Sequence, residues 1–88
     1  MRDQKAITAQ CDEIIQALTM LKDDEGVPKN VRAKIDVIIT DLKDETDISS
    51  KIGKSLHHLD GISEDMNLPP FIRTQIYSIS SMLEKLNN

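Results

Sequence analysis

His57 and His58 are the side chains best suited to proton transfer or metal ligation, and their spacing argues against both roles. Neighbours on a helix point about 100 degrees apart, so they cannot share the face that an i, i+4 ligand pair needs. Pairing His58 with Asp60, or His57 with Glu64, still leaves two ligands where a metal wants three that converge. Structural or exposed imidazoles are the better reading, and a small metal-dependent enzyme is the weaker alternative. Cys11 stands in a row of aliphatic residues with no histidine near it in sequence, which describes a buried inert thiol better than a nucleophile. Carboxylates gather at Asp23, Asp24 and Glu25 and again at Glu64 and Asp65. General acid and base work would need two of them with pKa values driven apart, and a solvated turn screens both alike. No catalytic, cofactor-binding or metal residue is assigned, and the chain is read as non-enzymatic and without a cofactor.

Asp24 with Arg32, and Asp65 with Arg73, recur at the same separation. Two readings of these pairs stand side by side. In the structural one each aspartate caps or pairs at the start of the helix that follows, with the arginine on the flank of that helix's apolar stripe. In the functional one Arg32, Arg73 and the amino ends of the helices form two anion or nucleotide-phosphate sites.

Those pairs belong to a larger repetition. Residues 7–47 align without a gap on residues 48–88 at an offset of 41, with eight identities. Six of the eight fall in one pattern, from Asp24, Pro28, Arg32, Ile35, Ile38 and Leu42 to Asp65, Pro69, Arg73, Ile76, Ile79 and Leu83. Like-for-like apolar pairs fill in between, among them Cys11 with Ile52, Ile15 with Leu56 and Val31 with Ile72. We read one helical hairpin written twice.

The elements that must position these residues follow from apolar spacing. Ile7, Cys11, Ile14, Leu18 and Leu21 recur at three and four residues, as one side of a helix requires. Ile48, Ile52, Leu59 and Ile62 repeat that stripe, with Ser55 replacing Ile14. Val31, Ile35, Ile38 and Leu42 form the second stripe, and Ile72, Ile76, Ile79, Leu83 and Leu86 the fourth. Pro28 suits the first position of a helix and Gly26 a left-handed close to the helix before it. Pro69 and Pro70 together delay the last helix to about residue 70. Asp47 or Thr46 can cap the third. The expected helices cover 4–23, 28–44, 48–64 and 70–86. Gly53 and Gly61 inside the third predict close helix approach or local looseness.

Eighty-eight residues make one domain, 1–88, with a thin and mainly aliphatic core, since Phe71 and Tyr77 are the only aromatics. A net charge of −4, with basic residues dispersed among acids, argues against a nucleic-acid surface. One cysteine, no signal peptide and no long apolar run point to a reducing cytoplasm and no membrane span. Two hairpin copies are expected to close into an all-α four-helix bundle, with HEAT-like open pairing as the variant. A homodimer, or docking on a larger cytoplasmic protein, would cover any apolar face left bare.

The stretches GVPKNVR at 26–32 and NLPPFIRTQIYSISSMLEKL at 67–86 resemble a small archaeal family of all-helical proteins, Uncharacterised Protein Family zero-one-four-seven. The resemblance spans most of the chain. It implies a helical fold and an archaeal cytoplasm, and carries over no reaction, ligand or functional residue. The third segment departs from it, being richer in Ser, His and Gly than the alanine-rich segment usual there.

Phe71 and Tyr77 stand where the first copy has Asn30 and Asp36, roughly 100 degrees or more off the apolar stripe. With Met82, and with Met66 beside them, they are the candidate contact residues of a helical interaction or self-association module. Met20, Val37 and Ala33 also lie outside the stripes and read as scattered surface residues.

Overall fold

Each amphipathic stripe needs an apolar wall, and four helices supply one for one another. The computed structural model describes residues 4–44 and 47–87, with side chains from 7 to 44 and from 47 to 86. Helices α1 (Gln4–Lys22), α2 (Lys29–Lys43), α3 (Ile48–Ser63) and α4 (Pro70–Asn87) fall within a residue or two of the limits expected from apolar spacing and proline. Helix α1 packs on α2, α2 on α3 and α3 on α4, and α4 returns to α1, while diagonal helices do not meet. The result is a closed antiparallel bundle with extents of 40 × 19 × 17 Å. Closure rules out the open HEAT-like variant, because each hairpin's apolar face is already covered by the other hairpin.

The core repeats at the offset of 41. Cys11 and Ile52, Leu18 and Leu59, Leu21 and Ile62, Val31 and Ile72, Ile35 and Ile76, Ile38 and Ile79, and Leu42 and Leu83 are all buried. Burying each Leu or Ile contributes about 1.5–3 kcal/mol, so these stripes carry most of the fold's stability. One layer breaks the symmetry. Ile14 is buried in α1, whereas its counterpart Ser55 is buried in α3 with a hydroxyl that has no hydrogen-bond partner. Gly53 and Gly61 are exposed, and a Cβ at either would meet nothing within 4 Å, so close helix approach does not explain them.

Helix ends are closed by specific groups. Pro28, at φ −60° and ψ 152°, is the N-cap of α2 and not its first helical residue, and its carbonyl accepts from the Arg32 amide at 3.0 Å. Pro69 accepts from the Arg73 amide at the same distance, leaving Pro70 at the first position of α4. Asp47 caps α3 by accepting from the Ser50 amide at 3.2 Å. Thr46, the other candidate cap, lies outside the described residues. The Lys51 ammonium donates to the Leu42 carbonyl at 3.1 Å and the Asp44 carbonyl at 2.9 Å, closing the carboxyl end of α2 from the next helix. Among the described residues no helix is long and apolar enough to cross a membrane.

Candidate functional site: the two turns and the helical faces

The α1–α2 and α3–α4 turns sit at one end of the bundle and repeat almost bond for bond. Asp24 Oδ1 accepts from the Gly26 amide at 2.8 Å, and Asp65 Oδ1 from the Asn67 amide at 2.9 Å. The Val27 and Leu68 amides return to the Asp24 and Asp65 carbonyls, each at 3.2 Å. These are Asx turns, in which a short carboxylate replaces a backbone acceptor. Two sequence expectations change here. No glycine has positive φ, so Gly26 does not end α1 in the left-handed region; a Cβ there would press on Asp24 Oδ1 at 3.3 Å. Asp24 does not cap α2 either, since its carboxylate is spent on its own turn and the Pro28 cap has no side-chain bond.

Each arginine fastens the backbone of its aspartate and not the carboxylate. Arg32 Nη2 donates to the Asp24 carbonyl and Arg73 Nη2 to the Asp65 carbonyl, both at 3.0 Å. Arg73 adds a second bond, from Nε to the Ser63 carbonyl at 3.1 Å, whereas Arg32 Nε is buried without a partner. Both guanidiniums therefore act as clamps across a turn, which is chemistry of positioning. Asn30 Nδ2 donates to Asp65 Oδ2 at 3.0 Å and ties the start of α2 to the α3–α4 turn. The Asn67 amide first, and then Asn30, hold the Asp65 carboxyl below its ordinary value of 3.8.

The histidines adopt neither carboxylate pairing drawn from sequence. His58 Nε2 instead lies 3.9 Å from Asp41 Oδ2 on α2, and the two imidazole rings are 6.2 Å apart. Among the described residues no group of three or more His, Cys, Asp or Glu side chains converges as a metal would require. Cys11 is buried, and burial pushes its thiol up; Lys51 opposes that shift and Asp12 adds to it. The thiol lines a cleft of about 670 Å³ between the start of α1, the end of α2 and the start of α3, with Ile7, Ile15, Leu42 and Lys51 also on its wall. A thiol so placed serves as a small apolar side chain.

Exposed apolar side chains are the other feature the sequence singled out. Phe71 is 63% exposed, Tyr77 57% and Met20 75%. Met82 is half-buried against the core and does not join Tyr77, from which it lies about 140 degrees around α4. Phe71 and Met82, eleven residues apart, share a line on that helix. The sequence reading thus put three residues on one surface where the helix presents two. It also missed Glu13 and Lys85, which line a shallow groove of about 320 Å³ with Gln10, Ile14 and Met82 between α1 and α4. Only the knowledge that α4 returns to α1 brings them together.

Four antiparallel helices in two like hairpins, with charged side chains committed to turns and helix ends, define a small all-α bundle whose outer faces are the remaining candidates for function. The chain belongs to the family described as Uncharacterised protein family (UPF0147), whose model matches residues 1–86. It is 33% identical over 76 residues to a UPF0147 protein of Archaeoglobus fulgidus, covering 86% of this chain and 87% of that one. A UPF0147 protein of Methanocaldococcus jannaschii is 36% identical over 83 residues, 93% of this chain and 82% of the relative. One from Methanosarcina mazei is 32% identical over 85 residues, 96% and 88% of the two chains. No solved structure matches the chain significantly.

Proposed function

We propose that the protein is a non-catalytic helical interaction module of the archaeal cytoplasm, made from a duplicated hairpin and acting through protein–protein contact. The observation that carries this reading is the exposure of Met20, Phe71 and Tyr77 on α1 and α4, in a chain with only two aromatic residues. A thin-cored domain gains more by burying rings inside than by exposing them, so both rings outside the core suggest a surface that is covered in use. The turn geometry supports the duplication, since equivalent residues make equivalent bonds at an offset of 41. An anion-binding role for Arg32 and Arg73 draws no support from geometry, because each guanidinium is already bonded to its own turn.

A photo-cross-linking phenylalanine analogue tests the reading in cells. Placed at residue 71 or 20, it is expected to give a discrete adduct of higher mass on illumination, and at Lys54, none. Absence of adducts at 20, 71 and 77 alike would overturn the proposal.

A further inference from the structure

The offset of 41 maps the α1/α4 face onto the α2/α3 face, so each position on one has a counterpart on the other. The α2/α3 face is occupied by polar groups. Lys51 reaches across to α2, His58 lies by Asp41, and Asn30 bonds Asp65. Their counterparts on α1/α4 are Gln10, Ala17 with Met82, and Phe71 with Asp24. Between the described side chains of α1 and α4, Thr8 apart, no hydrogen bond or ion pair is formed. Charge at the mapped positions also differs. Lys34, Asp41, Asp44, Lys51 and Lys54 become Gln75, Met82, Lys85, Gln10 and Glu13, so that two charges remain where there were five.

Those two are one acid and one base. Glu13 of α1 and Lys85 of α4 line the same groove from adjacent antiparallel helices, and because helical side chains lean toward the amino end of their own helix the two reach toward a common height. A twofold axis parallel to the helices turns this face onto itself and lays each α1 along an α4 of the second copy without changing height. Each Glu13 then meets a Lys85, giving two symmetric ion pairs, with Met82 and Ala17 near the centre and Met20 and Phe71 toward the turn end. On α2/α3 the mapped residues are three lysines and two aspartates, of which Lys51 and Asp41 are already engaged within the chain, whereas α1/α4 offers one acid and one base at the matching positions.

We propose that a second copy of this chain docks on the α1/α4 face through Met20, Phe71 and Met82, with Glu13 and Lys85 setting its twofold register. This rests on the interaction-module reading and names the partner.

The test is the mass of the full-length chain by sedimentation across a concentration series. Wild type is expected to reach twice its 9.9 kDa, while Phe71→Asp stays monomeric with unchanged helical circular dichroism. Tyr77→Asp, on a different line of α4, is expected to dimerise as wild type does. Glu13→Lys and Lys85→Glu should each weaken association about tenfold by setting like charges opposite, and mixing the two variants should restore it, since each then supplies the charge that the other lacks. A wild type monomeric at every concentration overturns the proposal, as does a dimer indifferent to both charge reversals or a mixture no stronger than its components. If the chain is monomeric and residue 71 cross-links to a different protein, the second copy is removed and the interaction module remains.

Discussion

Two faces of this bundle hold counterpart positions and have gone different ways. On α2/α3, Lys51, His58 and Asn30 reach across the seam to groups of the same chain, and Gly61 replaces bulk with nothing. On α1/α4 the same positions hold Gln10, Ala17, Phe71 and Met20, and Ala17 and Met82 pack there against the core. Both faces are seams between adjacent helices of one bundle, so the contrast between them lies in the side chains at the corresponding positions. One face spends its polar groups on internal bonds, and the other keeps exposed apolar area that only a further surface can bury.

The sharpest contrast lies in the core layer beneath the faces. Ile14→Ala is expected to cost about 2–5 kcal/mol in urea unfolding, as for other fully buried large-to-small changes, whereas Ser55→Ala should gain about 1 kcal/mol by removing a buried hydroxyl without a partner. A loss on Ser55→Ala would mean that the hydroxyl is satisfied and the two layers are alike. Next in size is Lys51→Met, expected to cost about 1 kcal/mol by freeing two carbonyls at the end of α2. The counterpart change Gln10→Met should move stability by less than about 0.5 kcal/mol, and an equal effect would erase the distinction between the seams. Gly61→Ala should raise thermal stability by about 0.5–1 kcal/mol, since the new methyl meets no neighbour.

The smallest effect is in acid. The Asp65 carboxyl is held down by the Asn67 amide and by Asn30, so its ionised form favours the folded state. That contribution is present above the ordinary value of 3.8 and is lost as pH falls through the lowered one. Asp65→Asn should therefore flatten the decline of stability below about pH 4, as read by thermal unfolding at stepped pH. An unchanged acid profile would show that the bonds to the Asp65 carboxyl carry no such linkage.

Much of this was legible in the residues. Stripe spacing and the prolines placed every helix, because one apolar side and a missing amide act locally. The Asp24/Arg32 and Asp65/Arg73 pairs were visible as recurring partners, but their atoms were not. Which oxygen an arginine meets depends on how the turn folds back, and here it is a carbonyl that carries no sequence signature. The Asp41/His58 approach and the Glu13/Lys85 groove were hidden for a different reason. They arise between elements, and which helix neighbours which is decided only when the hairpins close. Tyr77 and Met82 looked like one surface with Phe71 because all three stand on α4. Rotation about the helix separates Tyr77 from the other two by about 120 degrees or more.

The difference between the two faces can be read directly from amide and methyl nuclear magnetic resonance signals followed through a dilution series. Shifts that move with concentration are expected at Gln10, Ala17, Met20, Phe71 and Met82, while Lys34, Asp41 and Lys54 hold still. Movement on the α2/α3 face, movement spread evenly over both, or a spectrum that does not respond to dilution would contradict the assignment of self-association to the α1/α4 face.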